Sequence, residues 1–368
     1  MWKQVLTGAA ARALMVVGAV IVVALGLAAC GGGSSSSSSA GAGSGSESSE
    51  SNSSGTDEGA GAEASGETET AEGKTVYFLG CGPETPYCAV QNKEMQKGLE
   101  DHGVNAVIQN DGPYDVTIQT KQLNNAIAQK PDLIAGVFTT QQPLRPALMK
   151  AQQEDIPVVA FNTPIAEGFE ELFAGHVGQD DHNEGLIGGE LMAEGLEEAG
   201  HNEGRVVILS GAQGDQAAEA RNAGFEEGME KANGNFEITT AYSNWLPTQA
   251  ASETQQLLAK YDDIVGFFGA NSSMAASSIK AAEQAGAEIG GKGGIVYTGG
   301  NCDPSAQEYI ANGKMKGNDA QSPYTDVETE VGVIVKYLET GELAANTRVP
   351  EPVVTKENVD QYEKVCTF

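Results

Sequence analysis

The residues best suited to chemistry in this chain are side-chain amides, hydroxyls, one guanidinium and two aromatic rings. They occur as Thr85-Pro86-Tyr87, Asn162-Thr163, Arg221, Trp245, Asn271, Asn301 and Gln321. Planar amides and a guanidinium each make two directed hydrogen bonds. Flat aromatic faces suit the apolar C–H faces of a pyranose or furanose. Tyr87, Asn162, Thr163, Arg221, Trp245, Asn271, Asn301 and Gln321 are therefore the predicted ligand-binding set. The ligand they suit is a neutral, polyhydroxylated small molecule. Asn and Thr in loops also cap helices and form turns, and for any one residue that is the simpler role. What favours a site is that the whole set falls after strand ends.

Catalytic chemistry finds no such set. No Ser sits in a nucleophile elbow, no His follows a late strand, and no pair of acids stands out. Gly80-Cys81-Gly82 opens like a dinucleotide fingerprint, but Pro83 follows and the third glycine is missing. No enzyme activity and no cofactor are expected. Apart from Cys30, the cysteines are Cys81, Cys88, Cys302 and Cys366, an even set in a chain that reads as exported, so disulfides are expected. Four cysteines allow three pairings. The short loop from Cys81 to Cys88 is favoured, which leaves Cys302 with Cys366. The spacing does not suit zinc, and His102, His176, His182 and His201 are scattered, so no metal is expected.

The elements that must position these residues alternate. Strands are predicted at 75–79, 106–109, 133–138, 158–161 and 172–177, with helices near 89–102, 119–129 and 143–154. The pattern repeats with strands at 206–209, 236–241, 264–268 and 295–298 and helices near 183–199, 216–232, 248–260 and 272–285. Short continuous apolar runs indicate strands buried on both faces. Strands alternating with helices indicate right-handed crossovers and a parallel sheet. Two such runs imply an α/β protein with two Rossmann-like lobes, whose ligand lies beyond the carboxyl ends of the strands.

The N-terminal part reads differently. Lys3 and Arg12 precede an apolar run from Ala13 to Leu27 that ends in Leu27-Ala28-Ala29-Cys30. This reads as a lipoprotein signal peptide over 1–29, with Cys30 carrying the lipid. Residues 31–73 hold Ser, Gly, Ala, Glu and Thr with no aromatic residue, which predicts a disordered linker over 30–73. The chain is expected on the outer face of the cell membrane. Its net charge of −30 argues against nucleic acid, whose phosphates demand Lys and Arg.

Several segments carry a more specific resemblance. Pro86-Tyr87-Cys88-Ala89-Val90-Gln91 with Gly98 and Gly103 resembles the opening of the ribose- and galactose-type periplasmic binding proteins. Ile156-Pro157-Val158-Val159 with Phe161-Asn162 is similar to their fourth strand, and Val177-Gly178-Gln179-Asp180-Asp181 with Gly185 to the signature that follows. Ala220-Arg221-Asn222-Ala223-Gly224-Phe225 resembles their arginine helix. Phe268-Gly269-Ala270-Asn271 with Met274-Ala275, and Ala320-Gln321 before a helix at 326–340, complete the series.

The resemblance implies a type 1 periplasmic binding protein fold, joined by a three-strand hinge with Asp180 in it. It implies one lobe of 74–179 plus 322–350 and another of 180–321 plus 351–368. It also implies delivery of a sugar or polyol to an ABC permease by hinge closure, by a monomer. Tyr87 and Trp245 would sandwich the sugar ring, and Arg221, Asn271 and Gln321 would hold hydroxyls. Asn162 and Asn301 stand where many relatives place aspartates, Thr163 where ribose binders place a second Arg, and Cys88 where they place a second aromatic. These departures point away from ribose, toward another pentose, a polyol, an inositol or a less hydroxylated ligand. They also leave room for an anionic ligand, with Arg221 its only obvious cation. A ligand-sensing receptor of the same fold and a binder of a nucleoside are the alternatives. A cytoplasmic repressor is disfavoured by the signal and the lack of a basic helix-turn-helix segment.

Overall fold

The structure, a computed structural model, describes residues 70–111 and 115–368. The signal peptide, Cys30 and nearly all of the expected linker lie outside the described residues. The linker's last residues do not match the expectation of disorder. Ala71 is buried in the core, and the Gly73 amide donates to the Gly103 carbonyl.

Two six-stranded sheets form. The first contains β1 (Thr75–Leu79), β2 (Asn105–Gln109), β3 (Leu133–Gly136), β4 (Val158–Phe161), β5 (Gly175–Gly178) and β11 (Asn346–Arg348), in the order β11-β5-β4-β3-β1-β2. The second contains β6 (Glu203–Ser210), β7 (Asn235–Tyr242), β8 (Ile264–Gly269), β9 (Val296–Gly299), β10 (Gly317–Asp319) and β12 (Val353–Thr355), in the order β12-β10-β9-β8-β6-β7. Every pairing is parallel except that of β10 with β12.

The interleaved helices are α1 (Pro86–Asp101), α2 (Val116–Ala128), α3 (Arg145–Gln153), α4 (Asp181–Ala199), α5 (Gln216–Met229), α6 (Pro247–Lys260), α7 (Ser272–Gln284), α8 (Pro304–Ala311) and α9 (Pro323–Thr340). Alternation along β1 feeds both faces of the first sheet. Val76 and Phe78 pack with Met95 and Leu99 of α1 and with Val331 and Ile334 of α9. Leu79 packs with Leu123 of α2 and Leu148 of α3. This two-sided burial is what the unbroken apolar runs predict.

The chain passes between the sheets three times: after β5, after β10, and between β11 and β12. The expected strand at 172–177 is corrected to Gly175–Gly178, because Glu170–Leu172 wind into a 3-10 turn. Cys81 pairs with Cys88 and Cys302 with Cys366, with Cα separations of 5.4 and 5.2 Å. The second bond ties the C-terminal segment to the loop after β9.

Candidate ligand-binding site

The carboxyl ends of both sheets open onto one cavity. All eight residues of the predicted set line it, together with Thr85, Thr139 and Asp215 among others. The two rims touch beside it, where the Gln216 amide donates to the Thr139 carbonyl at 3.0 Å.

Arg221 forms the charged wall. Its helix α5 crosses α4 at very short range: a Cβ on Gly185 would lie 2.0 Å from the Arg221 carbonyl oxygen, and one on Gly224 would lie 1.9 Å from that of His182. This approach brings the guanidinium to two acids of α4. Nε donates to Asp181 Oδ1 at 2.7 Å, and Nη1 donates to Glu184 Oε1 at 2.5 Å and to the Ala270 carbonyl at 2.7 Å. All three side chains are buried. Burial alone would lower the arginine's pKa, but Glu184 and Asp181 outweigh it and hold the guanidinium firmly charged. Burial raises both carboxyls, with Arg221 opposing the rise. Arg221 thus has two carboxyl groups in direct contact, at 2.7 and 2.5 Å. No other Lys or Arg among the described residues lines the cavity.

The opposite wall has acids that no cation contacts among the described residues. Tyr87, in the first turn of α1, donates its hydroxyl to Asp326 Oδ2 of α9 at 2.5 Å. Gln321 Nε2 donates to the same carboxylate oxygen at 2.9 Å, and Asn162 Nδ2 donates to Tyr87 Oη at 2.9 Å. Behind them Gln91 donates to both oxygens of Glu330, at 3.0 and 3.3 Å. Burial, with a smaller push from Asp319, raises Asp326 to about 7. Burial, then Asp326, raises Glu330 well above the carboxylate range. Burial and these two acids raise Tyr87. Gln321 Oε1 and Asp326 Oδ1 are buried with no hydrogen bond among the described residues.

Several members of the set do double duty. Asn271 caps α7, accepting from the Met274 amide at 2.8 Å, and donates to the Trp245 carbonyl at 3.3 Å. Asn301 accepts from the Ser272 amide and hydroxyl at 3.2 and 3.0 Å, and its own amide donates to Asp319 at 2.8 Å. Thr163 is buried beside Asn162. Trp245 is 6% exposed, and its indole N–H donates to Asp215 Oδ2 at 2.9 Å. Asp215 caps α5, and burial raises it to about 7. Asp180, the predicted hinge residue, caps α4 and pairs with Arg348 at 3.1 Å. It does not line the cavity.

Sequence reasoning missed Asp181, Glu184, Asp215, Asp326 and Glu330. A signal existed for two of them. Asp326 and Glu330 fall within the buried stripe of α9, at positions where an amphipathic helix should be apolar.

The model of the periplasmic binding protein domain matches residues 76–342. The chain belongs to the periplasmic binding protein family. Among the relatives of this periplasmic binding protein are the xylitol-binding protein of Mycolicibacterium smegmatis and the ribose import binding protein RbsB of Salmonella typhimurium. The first is 23% identical over 69% of this chain and 70% of its own length. The second is 25% identical over 57% of this chain and 67% of its own length. A solved galactofuranose binding protein superposes with a TM-score of 0.73 at 20% identity, covering 80% of this chain and 98% of that one. The two sheets and their helices are the type 1 fold of the family.

Proposed function

We propose that this periplasmic binding protein carries a neutral sugar or polyol in the cavity and delivers it to an ABC importer. The observation that carries this reading is the lining itself: directed amide and hydroxyl groups, two aromatic rings, and a single cation already matched by two carboxylates. Such a surface rewards hydroxyls and offers an anion no unmatched charge. The names of the relatives, which bind xylitol and ribose, support the same class.

The lobes of this reading are 74–179 with 322–350, and 180–321 with 351–368. They turn about the three passages between the sheets, with Asp180 at the first. Closure by hinge motion traps the ligand, and contacts such as Gln216 to Thr139 are those that opening would break. Cys30 anchors the chain to the outer face of the membrane, and the protein acts as a monomer. Replacing Cys30 by Ala should release the protein from the membrane fraction; if C30A stays there, the anchor is wrong.

Only Trp2 and Trp245 are tryptophans. In the full chain carrying Trp2→Phe, Trp245 is the sole indole reporter. Titration with pentoses, hexoses, polyols, inositols and nucleosides should give a saturable change for a single class, lost in Asn301→Ala. Saturable binding of a sugar phosphate with no response to any neutral sugar or polyol would overturn the assignment.

A further inference from the structure

Trp245 is held in its place against its own backbone preference. Asn244 and Trp245 both have left-handed φ angles, +51° and +63°. For a bulky residue that conformation is costly and persists only where the surroundings impose it. Two features impose it here. Gly211 leaves the space the ring fills, since a Cβ there would lie 2.2 Å from Trp245 Cε2. Asp215 receives the indole N–H at 2.9 Å from a position 1% exposed. The ring so placed lines the cavity, with the Arg221 guanidinium carbon 5.2 Å from its centroid.

The two oxygens of Asp215 divide their work. Oδ1 accepts from the Ala217 and Ala218 amides, at 2.9 and 3.3 Å, and caps α5. Oδ2 accepts from Trp245. The cap could be supplied by Asn or Ser, which rank with Asp at this position. The indole bond could not. Asn has one acceptor oxygen, and with that oxygen on the cap its NH2 meets the indole N–H donor to donor. Ser is too short to reach both. We propose that Asp215 is a positioning residue. Through Oδ2 it fixes the Trp245 ring as a rigid wall of the cavity, and so sets the shape a ligand must match. The functional half of this inference rests on the reading of the cavity as a ligand site; the positional half does not.

The test uses the full chain carrying Trp2→Phe, with Asp215→Asn and Asp215→Ser as cap-preserving variants. In ligand-free protein, both variants should unfold cooperatively like the parent. Both should lose the fixed near-UV circular dichroism of Trp245, shift its emission to the red and expose it to acrylamide. Native near-UV and emission spectra in either folded variant would overturn the proposal, including the case in which stability alone falls, because that outcome makes Asp215 only a cap. If Asp215→Asn fails to fold, Asp215→Ser decides. Xylitol and D-ribose are then titrated as probes. A probe that binds the parent should bind the variants about tenfold more weakly, the loss of one directed contact. Equal affinity in parent and variants would overturn the claim that the wall sets ligand shape. If neither probe binds the parent, it is the ligand class that is in question, and the ligand-free spectra alone decide the positioning role.

Discussion

The wall built from α4 and α5 and the wall built from α1 and α9 both bury carboxyl groups at the back of the cavity. They manage them in different ways. Asp181 and Glu184 face a guanidinium that binds them both, at 2.7 and 2.5 Å. Asp326 and Glu330 receive only neutral donors, from Tyr87, Gln321 and Gln91. A buried charge needs a partner of opposite sign, and an unpaired carboxyl in the same setting keeps its proton instead. The first wall is therefore held by ion pairing. The second is held by hydrogen bonds around an acid that titrates near neutrality.

The comparison breaks most sharply at Arg221. Arg221→Met strips two buried acids of their counter-charge and should cost about 3–5 kcal/mol in urea unfolding. Tyr87→Phe removes one neutral donor from Asp326 and should cost about 1 kcal/mol. Equal costs would mean that the two walls are not held differently.

The disulfides differ between the regions too. Cys81–Cys88 closes a loop of sequence separation 7, and Cys302–Cys366 one of 64. Loop-closure entropy gives about 2 kcal/mol for the first and about 4 kcal/mol for the second. Paired Cys→Ser variants compared by thermal and urea unfolding should fall in that order. The reverse order would show that local strain rather than chain entropy governs them. A smaller effect is expected at Gly211. Gly211→Ala puts a methyl group into the Trp245 ring and should cost about 1–3 kcal/mol, with the loss read in the same unfolding curves.

These walls were legible in the sequence to different depths. The long parallel strands announce themselves, because burial on both faces demands apolar runs such as Leu133-Ile134-Ala135 and Val158-Val159-Ala160-Phe161. β10 is Gly317-Asn318-Asp319 and β11 is Asn346-Thr347-Arg348, with no apolar residue between them, so no periodicity marks either. The helix at Pro304–Ala311 also went unread, being only 8 residues long. Seven of the eight predicted residues were readable because each follows a legible strand, a position fixed by topology; Gln321 follows the unmarked β10 and was read from the resemblance. Their partners were not. Tyr87 and Asp326 are 239 residues apart, and Arg221 and Asp181 are 40 apart. No local pattern says which acid meets which donor when the helices pack. Asp215 fell inside an inspected loop, yet its second role depends on where the Trp245 ring comes to rest.

The finest distinction between the walls is in pH. Asp326 and Asp215 are each raised by burial to about 7, from an ordinary aspartate value of 3.8. Asp326 faces the donors Tyr87 and Gln321, with Asp319 and Arg221 acting from the second sheet side. Asp215 faces Trp245 and its capping amides, with Asp181 beyond. The folded state binds more protons than the unfolded chain between these two values. Stability from both groups is therefore fully present below about pH 4 and is lost as pH rises through about 7. Other carboxylates lose their own stabilising pairs in strong acid, so the clean window is pH 6 to 8. Across it each of the two groups should cost the native protein about 1–1.5 kcal/mol of stability as pH rises. Asp326→Asn should remove its own share of that slope, because an amide keeps the acceptor for Tyr87 and Gln321 and carries no proton to lose. Asp215→Asn should remove a share of its own while also disturbing the indole, so only that variant should couple the stability change to Trp245 emission. A slope unchanged in Asp326→Asn would mean that the α1–α9 wall keeps its aspartate ionised after all, and that the two walls differ in their donors but not in their charge.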